Sequence, residues 1–242
     1  MAHGTPDWWG TEPTATTHKV SDMGELAARL GSIVTFDRRG DVVWLSGFEN
    51  GLAEFTKVRI SDESNRNIST EAAYMGAYSL KLIIGSNTGD MSGIEKWLAY
   101  PALSKFGGEF AFTWHTDLDY LDVFFYFYDG INRTEFTIRF SDTNKKIYYL
   151  DSGGNLAEID NLPAWVTTKE EFEVAKLVVD LEAGEYVRLI LNNISYPLTG
   201  ILGKVTSVAV RPMLIFAVRA YGPGATTPTI YLDNLIITQN EP

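Results

Sequence analysis

The sequence predicts an all-β fold of two packed antiparallel sheets behind an extended N-terminal arm. Apolar residues alternate with polar ones at a period of two in segment after segment, as in strands with one face on a core. Gly, Asp and Asn clusters punctuate these segments as turns do. Helical spacing with caps at both ends appears in one short stretch, Asp22 to Gly31. The alternation is clearest from Gly108 to Ser141, which reads as three consecutive strands of one antiparallel sheet. Phe110, Phe112 and Trp114 alternate with smaller or polar residues. Leu121, Val123, Phe125 and Phe127 then point one way while Asp122, Phe124, Tyr126 and Tyr128 point the other. Thr134, Phe136, Ile138 and Phe140 form the third series. The second strand carries bulky rings on both faces, so its outer face needs a cover or a ligand.

From the start, residues 1–20 are rich in Gly, Pro, Thr and Trp and have no strand or helix period. This segment is either a leader or flap on its own chain, or an arm that anchors on a neighbouring subunit through Trp8 and Trp9, which are costly to leave in water. The helix follows, with Asp22 as N-cap, Glu25 three residues on, Leu26, Ala27 and Leu30 on one side, and Gly31 as its stop. It reads as a connector, so residues 1–40 form arm and connector and residues 41–242 form the sandwich. Strands are expected at Asp41 to Leu45, Phe55 to Ile60, Tyr78 to Ile83 and Glu95 to Tyr100, with Ser61 to Thr70 either a polar loop throughout or a loop with a short strand near Ile68. After the central run, strands are expected at Lys146 to Leu150, Leu156 to Ile159, Phe172 to Leu181, Glu185 to Leu191, Val205 to Val210, Leu214 to Ala220 and Thr229 to Ile237. Glu182-Ala183-Gly184 closes a hairpin between the strands on either side of it.

Composition narrows the function. A chain of 242 residues that is 45% hydrophobic, with 6 Trp, 12 Tyr and 13 Phe, can fill a large core. A net charge of −11 disfavours nucleic acid and anionic membrane as partners. There are no cysteines, which excludes disulfides and thiolate chemistry. The first thirty residues lack the basic start and apolar run of an export signal, and no apolar stretch is long enough for a spanning helix. Synthesis in the cytoplasm, no membrane insertion and later release into a virion or other extracellular assembly are therefore expected. No Gly-rich phosphate loop is present. His115, Asp117, Asp119 and Asp122 cross a turn and do not share a face, so no catalytic residues are assigned.

Three separated pieces resemble the jelly-roll carbohydrate-binding modules attached to polysaccharide-degrading enzymes: Phe48-Glu49-Asn50-Gly51, Gly76-Ala77-Tyr78-Ser79-Leu80, and Tyr231-Leu232-Asp233-Asn234. The resemblance implies a jelly-roll-like sandwich. It also implies a structural Ca²⁺ on Glu49 and Asp233, with carboxylates from adjacent terminal strands supplying hard oxygen ligands. A glycan platform needs exposed rings with polar neighbours, and the residues offer Tyr126, Tyr128 and Arg139 on the outer sheet face, or Trp97 and Trp165 at the loop end. The N-terminal extension and aromatic centre also look like phage capsid or tail decoration proteins, in which such a body carries an arm. The leading expectation is therefore a non-enzymatic structural or decoration protein, partnered by its own copies or other particle proteins. The alternative is a carbohydrate-binding module recognising a polysaccharide through exposed aromatics.

Overall fold

A computed structural model describes residues 40–61, 64–99, 101–115, 117–165 and 167–242, without the side chains of Val58 and Arg59. Trp8, Trp9 and the connector helix lie outside the described residues. Those described form sixteen strands. In order they are β1 (Asp41–Ser46), β2 (Lys57–Ile60), β3 (Asn65–Ser69), β4 (Ser79–Ile83), β5 (Met91–Ala99), β6 (Lys105–Thr113), β7 (Tyr120–Tyr128) and β8 (Asn132–Ser141). Then follow β9 (Lys146–Leu150), β10 (Leu156–Asn161), β11 (Phe172–Asp180), β12 (Glu185–Leu191), β13 (Ile194–Leu202), β14 (Lys204–Ser207), β15 (Met213–Tyr221) and β16 (Thr229–Gln239).

They make two eight-stranded sheets, antiparallel throughout, stacked as a sandwich. Sheet I runs β13-β12-β11-β6-β16-β4-β3, with β1 beside the far half of β16, and sheet II runs β10-β9-β8-β7-β15-β5-β2, with β14 beside the start of β8. The expected single sheet from Gly108 to Ser141 is corrected here. β6 pairs with β11 and β16 in sheet I, whereas β7 and β8 pair with each other in sheet II. The segment between β6 and β7 is a crossover, because the rings of β6 and β7 both point into the core and must meet face to face. Leu118 within it is buried and closes that end.

The core is the sum of the inward faces. Phe106, Phe110 and Phe112 of β6 meet Leu121, Val123 and Phe125 of β7 and Leu214, Phe216 and Val218 of β15, all buried in one cluster. Gly108 sits at its centre. A Cβ there would lie 2.2 Å from the Phe216 ring and 2.8 Å from Phe125, so its absence lets the tilted Phe125–Phe216 pair press on the β6 backbone. Tyr186 is fully buried, and its hydroxyl accepts Thr137 N–H at 2.7 Å and donates toward the Leu150 carbonyl at 2.9 Å, which ties sheet I to sheet II.

β13 was not expected as a strand, and of the two readings of Ser61 to Thr70 the structure has the short strand near Ile68, β3. Pro197 and Gly200 disguise β13, but it is the edge strand of sheet I, where a missing N–H costs no ladder bond. β3 is polar because it is the opposite edge, paired only with β4. The outer face of sheet I is closed by the chain end. Glu241 folds over it to meet Lys176 at 2.7 Å, both side chains being 0% exposed, and Arg188 at 2.8 Å.

Candidate functional site

Glu49 and Asp233 are brought to one place, where both grip the same loop. The register shift after Asp233, with Asn234 left-handed at φ 46°, marks where β16 passes from β4 to β1 as its neighbour. Asp233 Oδ2 accepts the N–H groups of Tyr74 at 2.7 Å and Met75 at 3.0 Å, and Glu49 Oε1 accepts those of Ala77 at 2.8 Å and Tyr78 at 3.3 Å. Gly76 between them has φ 73° and stands against Glu49 Oε1, where a Cβ would lie 2.3 Å away. Burial pushes the Asp233 carboxyl up to about 6 against the opposing backbone hydrogen bonds, and the nearby Glu49 charge adds to the rise. In kind, the donors suit calcium: two carboxylates, with both Glu49 bonds on Oε1. Among the described residues no cluster of three acidic or histidine side chains forms, so further ligands would be backbone carbonyls or water.

The broader site is the outer face of sheet II. Among the described residues no strand packs against it, and Val210 from the segment before β15 touches its apolar floor. Alternation along β5, β15, β7 and β8 lays side chains in rows across the strands. Gly93, Arg219, Asp122, Arg139 and Tyr148 form one row. Glu95, Ala217, Phe124 and Thr137 form the next, followed by Trp97, Ile215, Tyr126 and Glu135, and then by Met213, Tyr128 and Arg133. On the other side, Tyr221 stacks on Tyr120 with centroids 4.4 Å apart. The floor is apolar, with Phe124, Met213, Ile215 and Ala217 buried beneath Trp97, Tyr126 and Tyr128.

Three arginines lie on this floor, each between a carboxylate and a ring. Arg139 donates Nε and Nη2 to Asp122, both at 2.8 Å, and lies 3.6 Å from the Tyr120 centroid. Arg133 pairs with Glu135 at 3.1 Å and lies 4.7 Å from the Tyr126 centroid. Arg219 pairs with Glu95 and lies 4.5 Å from the Phe124 centroid. Gly93 admits Arg219, since a Cβ there would lie 2.8 Å from its Cγ. Burial pushes the Tyr120 and Tyr126 hydroxyls up to about 12, so both stay protonated donors at neutral pH. Burial also raises the Asp122 carboxyl, and its bonds to Arg139 oppose that rise.

Of the sequence candidates, Tyr126, Tyr128, Arg139 and Trp97 share this face. Trp165 does not, so the expected Trp97–Trp165 site is corrected. The Trp165 ring packs 4.7 Å from Trp114 and 5.4 Å from Phe112 at the core's end. It lines there a cleft of about 270 Å³ with Asp142 and Lys145. The bare tyrosine platform is corrected too, since Arg133 covers Tyr126. Sequence reasoning missed Arg133, Arg219 and Glu95. The signal for Arg219 was an arginine interrupting an apolar strand at the same parity as Ala217 and Tyr221. The His115–Asp122 cluster disperses: His115 Nδ1 accepts Asp117 N–H, Asp119 accepts the Thr143 hydroxyl, and Asp122 holds Arg139.

No protein-family model matches this chain, and no curated protein matches it. Solved structures share the fold. The endo-β-1,4-glucuronan lyase of the fungus Trichoderma reesei is 13% identical with a TM-score of 0.58, the match covering 82% of this chain and 95% of that one. A carbohydrate esterase from the Shiga toxin-encoding bacteriophage phi24B is 10% identical with a TM-score of 0.53, covering 84% of this chain and 100% of that one. The cellulose-induced protein Cip1 is 16% identical with a TM-score of 0.51, covering 81% and 96%. At these identities the likeness is one of fold, and it agrees with the jelly-roll sandwich implied by the sequence motifs.

Proposed function

We propose that this protein recognises a polysaccharide on the outer face of sheet II, in preference to the assembly role expected from its N-terminal segment. The single observation that carries this reading is the face itself, on which no strand packs among the described residues. Trp97 and Tyr128 are half-buried over an apolar floor, with Tyr126 capped by Arg133 and fixed guanidinium and carboxylate groups in adjacent rows. Rings of this kind stack on sugar C–H surfaces while the polar groups read hydroxyls. That the neighbours in fold include a glucuronan lyase and a carbohydrate esterase supports a carbohydrate-directed reading. The assembly role rests on Trp8 and Trp9, outside the described residues.

The reading is of binding without cleavage. Hydrolysis of a glycoside uses two carboxyl groups, one of them a proton donor. On this face Glu95, Asp122 and Glu135 each hold an arginine. Calcium on Glu49 and Asp233 would stabilise the loop at 74–78 and take no part in chemistry. The test is affinity electrophoresis of the full chain through gels containing a panel of polysaccharides. Trp97→Ala with Tyr128→Ala should cut retention about tenfold or more, each stacked ring contributing about 1 kcal/mol. Undiminished retention in that variant, with its thermal midpoint preserved, would reject the face.

A further inference from the structure

Among the described residues, each of the three guanidiniums on the central strands of the sheet II face arrives with its own counter-charge. Arg133–Glu135, Arg139–Asp122 and Arg219–Glu95 together carry three cations and three carboxylates, and both partners of every pair belong to this one face. The rings beneath fix the guanidinium planes. We propose that these ring-backed pairs are the specificity determinants of the face and that they select a neutral glycan. The inference rests on the polysaccharide reading above and adds the charge class of the ligand and the groups that read it.

The physical argument has two parts. A sugar hydroxyl both donates and accepts, and a guanidinium–carboxylate pair presents both complements in fixed geometry. Arg133 and Arg219 each use Nη2 on their carboxylate and bury Nε, and Arg219 also bonds Tyr221, so the remaining Nη hydrogens are the donors that can meet a ligand. The three side chains are 28%, 25% and 14% exposed, enough for one edge of each to meet a ligand. A uronate faces the opposite situation. It would either pull an arginine from a carboxylate that is 15%, 8% or 2% exposed, leaving that charge buried alone, or sit as a second anion beside it. The chain's charge of −11 adds a longer-range repulsion of a polyanion.

The experiment runs the full chain through gels containing neutral polymers (xylan, β-glucan, mannan) or uronate polymers (polyglucuronate, alginate, pectate). Each is run at about 20 mM and about 500 mM NaCl, conditions that span weak and strong screening. The expected result is retention by at least one neutral polymer, the same at both salts, and none by the uronates. Arg133→Lys and Arg219→Lys keep the charge and lose the planar fork, and each should weaken retention about tenfold with an unchanged thermal midpoint. If Arg219→Lys fails to fold, the more exposed Arg133→Lys carries this arm. Retention by uronates that disappears in high salt would overturn the neutral-glycan inference while leaving the face as a glycan site. Neutral retention unchanged in a folded lysine variant would overturn the role of the pairs. No retention by any polymer would overturn the polysaccharide reading itself.

Discussion

Replacing Glu241 by Gln should cost this protein about 3 kcal/mol, although Glu241 is the penultimate residue. Its Oε1 faces Lys176 Nζ at 2.7 Å and the Thr238 hydroxyl at 2.5 Å, and its Oε2 faces Arg188 Nη2 at 2.8 Å. Gln keeps the volume and removes the charge, so the loss is electrostatic and leaves no cavity. Breaking a buried ion pair on one side costs about 3–5 kcal/mol, because the remaining charge stays desolvated. The low end applies because Glu109, itself buried, stands opposite Lys176 in the β6–β11 register and shares the load. For a chain of this size the loss corresponds to a fall in thermal midpoint of about 6–12 °C. Urea unfolding read by tryptophan fluorescence, with the slope compared between proteins, measures it directly. A loss below about 1 kcal/mol at unchanged slope would refute the reasoning.

Asp233 should titrate near 6 in a carboxyl ¹³C NMR experiment, and a midpoint below its ordinary 3.8 would refute the burial argument. Because the folded value is the higher one, the folded state holds the extra proton between 3.8 and about 6. This group's contribution is therefore complete at low pH and declines by up to about 3 kcal/mol as pH rises through that window. Millimolar Ca²⁺ should lower that midpoint and raise the thermal midpoint at pH 7, and a flat response to Ca²⁺ in both measurements would reject the calcium proposal. Gly108→Ala should destabilise by about 1–3 kcal/mol, as its Cβ meets the Phe216 ring at 2.2 Å, and calorimetry showing no loss would mean that the ring moves freely. Tyr186→Phe should cost about 1–3 kcal/mol by leaving the buried Thr137 N–H without its 2.7 Å acceptor, measurable as faster amide exchange at Thr137.

Period-two alternation reaches the sequence reader where one strand face is wet or polar, as in β8, β9 and β12, whereas β7, β11 and β15, buried on both faces over much of their length, were legible as β-branched and aromatic runs between turns. The motifs around Glu49 and Asp233 were legible for a related reason: a bulged strand and a tight glycine turn need particular residues locally. Edge strands were harder to see, because β3 and β13 each pair with one neighbour only and, with the other side unpaired, need little hydrophobicity of their own. Sheet membership escaped as well. Adjacent strands with inward rings are compatible with one sheet or with two facing sheets, and only the packing of Phe112 of β6 against Phe140 of β8 decides it.

The candidate site divides along the same line. That Tyr126, Tyr128 and Arg139 would share a face with each other followed from parity within two neighbouring strands. That Arg219 and Glu95 would join them did not, because those residues are separated by 124 positions and meet only when β15 lies between β5 and β7. The sequence by itself determined most of the strands inside the sheets, their polarity and the acidic balance of the chain, since these depend on neighbouring residues and composition. The tertiary structure alone decided which charges become pairs and which rings they cover. Ion pairing over a sheet depends on strand order, and strand order is set by long-range packing of the core.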